Sequence, residues 1–284
     1  MKKILVTGAN GQVGQEFKVI AQDDMQFEWV FAARDTFDIT DAKKINAFFH
    51  ENKIDICINV AAYTAVDKAE DERDLAHEIN ERAVCGLAEV CKKSGAKLIH
   101  FSTDFVFDGE KFRPYIEEDK PSPKGVYGLS KLAGELKAIE NDGVVIRTSW
   151  VYSEFGNNFV KTMLRLGNDR DEISVVADQV GTPTYARDLA QAVYDLITEG
   201  KFLKDVDIYH YSNEGVASWY DFAKAIFEIK NIDCKVNPIL SHQYPTKAKR
   251  PHYSVLNKNK IKSTYQLSIP HWRDSLKICL GKIK

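Results

Sequence analysis

The start of the chain restricts its fold more than any other feature. An apolar run of strand length, Ile4-Leu5-Val6-Thr7, passes directly into Gly8-Ala9-Asn10-Gly11-Gln12-Val13-Gly14 and then into a helix-like stretch. A GxxGxxG turn between a strand and a helix lets the backbone approach a pyrophosphate closely, with the phosphates at the positive end of the helix. Glycine-rich turns also serve packing alone, so the strand–turn–helix context carries the reading. The candidate nucleotide contacts in this turn are Gly8, Asn10, Gly11, Gln12, Val13 and Gly14.

Further strand-length apolar runs follow at Trp29–Ala33, Ile54–Val60, Leu98–Ser102 and Val144–Thr148, separated by amphipathic stretches such as Asp41–Glu51 and Leu75–Lys93. Strands alternating with helices predict right-handed βαβ units and a parallel sheet. Strands buried on both faces should be almost continuously apolar, and Asp55 and Asn59 interrupt the third run. After Trp150 the rhythm loosens into helices near Phe159–Leu166, Tyr185–Thr198 and Ser218–Lys230, strands at Ile173–Val176 and Ile208–Tyr211, and a basic stretch, Tyr244–Pro251. The expected architecture is a doubly wound α/β domain of Rossmann type over residues 1–150, with segments near 177–210 returning to it. Residues 151–284 would form mainly a smaller, discontinuous substrate-binding α/β part.

Composition narrows the class. Lys+Arg 39 against Asp+Glu 41 leaves a net charge of −2, which gives no global attraction for nucleic acid or an anionic membrane. The five cysteines, Cys57, Cys85, Cys91, Cys234 and Cys279, are odd in number and never spaced CxxC, so neither a disulfide framework nor a structural zinc site is expected. Reduced cytoplasm is the natural compartment. The opening Met1-Lys2-Lys3 and its apolar run stop too early for a signal peptide, and no apolar stretch approaches the roughly 20 residues of a membrane helix.

At the end of the second strand, where an NAD-selective site places an acid for the ribose 2′-OH, the chain offers Ala32-Ala33-Arg34. Arg34 suits a 2′-phosphate, so NADPH is expected over NADH, although an ordinary surface arginine reads the same way. Tyr127-Gly128-Leu129-Ser130-Lys131 sets a phenol and an ammonium on one helix face. A neighbouring cation favours the phenolate and is expected to lower the tyrosine pKa from near 10, as carbonyl reduction needs. YxxxK pairs are common on surface helices, and the preceding block decides the matter. The strand before it ends in Ser102-Thr103-Asp104, placing a hydroxyl at the carboxyl end of a sheet strand, where open α/β folds bind ligands.

Several blocks in order resemble the dTDP-4-dehydrorhamnose reductase family of extended short-chain dehydrogenases. They are Gly8–Gly14, whose spacing matches that group's variant; Ala61-Ala62-Tyr63-Thr64-Ala65-Val66-Asp67-Lys68-Ala69-Glu70; Ser102–Gly109; Tyr127–Lys131; Arg147-Thr148-Ser149-Trp150-Val151-Tyr152; Asn157-Asn158-Phe159; Gln179–Thr184; and Arg250–Asn257. The resemblance covers essentially the whole chain. It implies NAD(P)H-dependent reduction of the C4 ketone of a dTDP-linked keto-deoxysugar, giving dTDP-L-rhamnose for cell-surface polysaccharide, by a monomer or homodimer.

Under that resemblance Tyr127 protonates the ketone oxygen, Lys131 tunes Tyr127 and holds the nicotinamide ribose, and Thr103 polarises the carbonyl. Asp38 and Ile39 would lie near the adenine, although a carboxylate before a helix also reads as part of a cap formed by Thr40 or Asp41. Ala61, Ala62 and Tyr63 would back the cofactor. Thr103, Asp104, Trp150, Asn157 and Arg250 would contact substrate, although Trp150 also reads as core filler and Arg250 as a solvated loop residue. Phe105 departs from the family's usual tyrosine.

Glu16 matches a glutamate used for metal-bridged pairing in some relatives, but no supporting oxygen cluster is legible and no metal is expected. A 4-epimerase or 4,6-dehydratase would share the fold and the YxxxK pair, although Thr103-Asp104-Phe105 lacks the dehydratase glutamate. A non-catalytic NADP-binding regulatory subunit would share the fold without needing the proton donor.

Overall fold

The computed structural model describes residues 1–283. In chain order the first half runs β1 (Lys2–Thr7), α1 (Gln12–Ala21), β2 (Phe27–Ala32), α2 (Ala42–Asn52), β3 (Ile56–Asn59), α3 (Val66–Ala69), α4 (Arg73–His77), α5 (Ala83–Ser94), β4 (Lys97–Thr103), α6 (Val126–Glu140) and β5 (Val144–Thr148). The second half continues β6 (Val151–Tyr152), α7 (Phe159–Asp169), β7 (Glu172–Val176), β8 (Val180–Gly181), β9 (Thr184–Tyr185), α8 (Ala186–Thr198), β10 (Ile208–His210), β11 (Ala217–Ser218), α9 (Trp219–Lys230), β12 (Lys235–Ile239), α10 (Asn259–Tyr265) and α11 (Trp272–Lys282).

Six strands form one parallel sheet in the order β2-β1-β3-β4-β5-β10. Alternate residues along each strand serve opposite faces. Ile4, Val6, Ile58, Ile99 and Ile146 pack under α1 and α8 with Phe17, Leu189 and Val193. Leu5, Cys57, Leu98 and Val145 pack under α2 and α5 with Ile45, Phe49, Val84 and Leu87. The two polar interruptions of the third run separate here. Asp55 lies outside β3 and accepts the Lys3 N–H at 2.7 Å, whereas Asn59 stays in the strand, fully buried.

A second core gathers residues of α7, α9 and α11 with the parallel pair β7 and β12, among them Met163, Ile173, Phe222, Val236 and Leu276. The stretch expected as one helix over Leu75–Lys93 is α4 and α5 joined by a wide π turn at Glu78–Arg82, in which Asn80 is fully buried. Asn80 accepts the Tyr63 N–H at 2.8 Å and donates to Ser130 Oγ at 3.1 Å, tying this turn to α6. Helices α10 and α11 are additions to the sequence expectation. Among the described residues no helix is long and apolar enough to cross a membrane.

Candidate active site

The carboxyl ends of β1, β3, β4 and β5 open onto one cleft of about 1240 Å³. It lies where the strand order reverses, between β1 and β3, the position at which open parallel sheets bind ligands. Gly8, Asn10, Gly11, Gln12, Val13 and Gly14 line one end, with Arg34, Asp38 and Ile39 beyond β2 and Ala61 and Ala62 beyond β3.

The glycine turn fits a closely held phosphate group. Gly8 has φ +64°, and a Cβ there would stand 2.7 Å from the backbone of Ala61. No side chain caps α1, whose N-cap is Gly11, so its first N–H groups remain available at the cleft. Arg34 is exposed at the cleft edge. The Asp38 carboxylate accepts the Thr40 N–H at 2.9 Å, which with the Arg34 charge holds its pKa below the usual range, while Asp41 and not Thr40 caps α2. Tyr63, expected to back the nucleotide, does not line the cleft. Its N–H is taken by Asn80 and its hydroxyl donates to Glu72 at 2.6 Å, which turns the ring away.

Thr103, Tyr127 and Lys131 meet in the middle of the cleft. Tyr127 stands at the start of α6, where Gly128 lets the helix abut the Phe105 carbonyl and Ser130 Oγ donates to the Tyr127 carbonyl at 2.9 Å. The expected lowering of its pKa is overturned: burial pushes the phenol up to about 12, a hydrogen bond with Thr103 opposes this, and the Asp104 charge adds to it. Desolvation outweighs any neighbouring cation, so Tyr127 stays protonated at neutral pH. Lys131, 2% exposed, donates to the Phe101 carbonyl at 2.6 Å, and burial pulls its ammonium down to about 8 while Glu135 opposes.

Asp104 is buried, which raises its carboxyl to about 6 against hydrogen bonds from Ser254 and Thr103. Its Oδ2, Ser102 Oγ and Thr148 Oγ1 are buried without a protein partner, and all three residues line the cleft. Buried polar atoms without partners are costly, so they mark a wall built to meet a polar ligand.

Trp150, Asn157 and Arg250 also line the cleft, Asn157 lying between Gly156 and Asn158, both of which meet Gln12 of the glycine turn. Trp150 adopts φ +46° and stacks on Trp219 with ring centres 3.5 Å apart and planes 6° apart. It is therefore a half-buried wall of the cleft and not core filler. Arg250 pairs with Asp67 at 2.6 Å, and Lys247 with Asp71, which fastens the basic loop to the α3 region. Phe105 packs edge-on against Tyr127 at 5.4 Å. Trp219 and Gln179 also line the cleft. Sequence reading missed both, although Gln179 opens the Gln179–Thr184 block and Trp219 begins the helix directly after Ser218.

Glu16 is on the buried face of α1, away from the cleft lining. It accepts from Ser153 at 2.7 Å, faces Arg187 at 3.9 Å, and is pushed up to about 7 mainly by burial. Among the described residues no group of three or more His, Cys, Asp or Glu side chains is placed to hold a metal.

The sequence model of the family described as RmlD substrate binding domain matches residues 1–284. A dTDP-4-dehydrorhamnose reductase of Sinorhizobium fredii is 41% identical over 282 residues, spanning 96% of this chain and 95% of that one. The crystal structure of a dTDP-4-dehydrorhamnose reductase from Clostridium acetobutylicum superposes with a TM-score of 0.94 at 42% identity, covering 98% of each chain. That of the Bacillus anthracis dTDP-4-dehydrorhamnose reductase in complex with NADP gives 0.93 at 39% identity, covering 99% of this chain and 100% of the other. Whole-length matches at this identity, with the same fold, establish that the chain belongs to the dTDP-4-dehydrorhamnose reductase family.

Proposed function

We propose that this protein reduces the C4 ketone of dTDP-4-dehydro-6-deoxy-L-mannose to dTDP-L-rhamnose, with NADPH preferred over NADH. The observation that carries the reading is the meeting in one cleft of the glycine turn at the end of β1 with Thr103, Tyr127 and Lys131. The solved relative from Bacillus anthracis holds NADP, and Arg34 in the cleft lining of this chain suits a 2′-phosphate.

When bound, the reduced nicotinamide supplies the hydride. The chain supplies placement and the proton. Tyr127 Oη holds that proton firmly at neutral pH and gives it to the ketone oxygen as negative charge develops there. The alkoxide being formed is a stronger base than a phenolate, so the transfer runs downhill. Thr103 Oγ1 donates to the same oxygen, and the Lys131 cation favours the phenolate that Tyr127 becomes. Asp104, Trp150, Asn157 and Arg250 orient the sugar nucleotide, Arg250 exchanging Asp67 for the diphosphate.

In this reading residues 1–150, with returning segments near 177–210, hold the cofactor, and 151–284 mainly hold substrate. A cytoplasmic setting and a monomer or homodimer complete it, the former favoured by five free thiols.

The test is oxidation of NADPH and of NADH followed by absorbance, with the keto-sugar nucleotide generated in situ and a control without it. Substrate-dependent oxidation, faster with NADPH, is the expected result. Nucleotide binding without oxidation would replace this reading with an epimerase or a regulatory subunit.

A further inference from the structure

Beneath Lys131 runs a line of buried polar side chains that the reaction above does not use. Thr7, Asn59 and His100 stand in register on β1, β3 and β4, with Thr7 opposite Asn59 and Asn59 opposite His100. Each lies two residues beyond Leu5, Cys57 and Leu98, so all three share the sheet face covered by α5 and α6. None is exposed to solvent. Thr7 Oγ1 and Asn59 Oδ1 are 2.6 Å apart, Asn59 Nδ2 and His100 Nδ1 3.0 Å, and His100 Nε2 and Lys131 Nζ 3.4 Å.

We propose that His100, oriented by Asn59 and Thr7, is the positioning residue of Lys131: its Nε2 accepts from the ammonium and donates to the amine.

Three alternating polar groups in a core are costly unless each is bonded, and here the bonds come in two self-consistent sets. In one, the Thr7 hydroxyl donates to Asn59 Oδ1, Asn59 Nδ2 donates to His100 Nδ1, and the proton on Nε2 faces an uncharged Lys131. With the Asn59 amide turned over, Nδ1–H donates to Oδ1, Nδ2 donates to Thr7, and the Nε2 lone pair accepts from the Lys131 ammonium. Both sets occupy the same heavy-atom positions, since amide orientation and imidazole tautomer follow from the network. An amide does not pass protons along, so the line orients groups and is not a proton wire.

Among the described residues Lys131 has no carboxylate within salt-bridge distance. Glu135, one turn on along α6, is engaged by Arg147 of β5 through bonds of 2.7 and 2.9 Å. Asp104, just past β4, and Tyr127 on α6 are titratable groups lining the same cleft, and among the described residues β1 and β3 bring the neutral Thr7 and Asn59 to this line. Burial and the Lys131 charge hold His100 neutral. A carboxylate would lock the lysine as a cation and an apolar neighbour would neutralise it, whereas the imidazole supports both forms.

The job assigned to Lys131 rests on the reductase reading; the network itself does not. Lysines labelled with ¹³C at Cε are titrated by NMR in the full-length protein, with Lys131→Met identifying the Lys131 signal, which needs no turnover. The pH profile of kcat is measured alongside. His100→Phe, which keeps a ring without nitrogens, should lower the Lys131 midpoint by up to about one pH unit, because the bond it removes from the ammonium is stronger than the one it removes from the amine. The basic limb of kcat should move down in parallel, and His100→Gln, whose amide can accept or donate, should restore both. If the phenylalanine variant fails to fold, His100→Leu carries the same test. An unmoved midpoint in a folded variant, or activity lost equally at all pH values, overturns the proposal. A shifted midpoint in a protein with no reductase activity upholds the hold on Lys131 and sinks the reductase reading instead.

Discussion

Seven consecutive residues, Gly8 to Gly14, shape one part of the cleft lining, whereas another part is assembled by side chains from distant segments, among them Trp150, Gln179, Trp219 and Arg250. The first works by leaving atoms out: Gly8 fits against Ala61 because it has no Cβ, and α1 presents uncapped N–H groups. The second works by putting groups in that depend on partners elsewhere, as Trp150 does on Trp219 and Arg250 on Asp67. A ligand common to many enzymes can be met by a local motif, while a particular sugar has to be met by surfaces that the whole fold brings together.

That contrast can be broken by substitution in each part and at the junction. Tyr127→Phe acts where the two parts meet. It should cut kcat by at least ~10²-fold, the scale of lost acid catalysis, while the NADPH affinity measured by fluorescence stays near wild type. Comparable turnover would remove Tyr127 from the mechanism.

Gly8→Ala tests the backbone part. The left-handed φ and the 2.7 Å approach to Ala61 both oppose a methyl group. NADPH binding should weaken roughly tenfold or more, with a lower melting temperature, since strain of this kind costs on the order of 1–3 kcal/mol. Unaltered binding would mean that the turn does not cradle phosphate.

Trp219→Ala tests the side-chain part. Loss of the stacked partner should free Trp150 and raise KM for the sugar nucleotide about threefold to tenfold, as an aromatic pair is worth about 0.5–1.5 kcal/mol. The KM for NADPH should not change; if both rise together, the two parts are not separable in the way described. The smallest effect is expected from Arg34→Ala, because the side chain is exposed. An exposed ion pair is worth about 0.2–1 kcal/mol, so NADPH should weaken about threefold and NADH not at all. Equal effects on both cofactors would make Arg34 incidental.

Strands and most helices of the first half were legible because burial on both faces of a parallel sheet leaves unbroken apolar runs. The one ambiguous run shows where that signal stops. Asp55 and Asn59 look alike as interruptions, yet one ends outside the strand and the other is a buried bridge between Thr7 and His100. Which it would be depended on the neighbours across the sheet, and strand order is a non-local property. The π turn at Glu78–Arg82 was hidden for a similar reason, since its helical periodicity continues through it and only Asn80's partners on Tyr63 and Ser130 mark it. The turn of the Tyr63 side chain towards Glu72 was not legible, because a motif gives position along the chain and not the direction of a side chain. The short, polar α10 carried too little periodicity to be read.

By itself the sequence determined the glycine turn, the spacing that brings Tyr127 and Lys131 to one helix face, the βαβ order and the family, because each is set by residues close together or by their order along the chain. The tertiary structure decided the protonation of Tyr127, which burial raises where a pairwise reading lowers it, and the stacking of Trp150 on Trp219. It also decided the meeting of Thr7, Asn59 and His100 beneath Lys131. Desolvation and cross-strand register are sums over the surroundings of a group, and those surroundings exist only once the chain has folded.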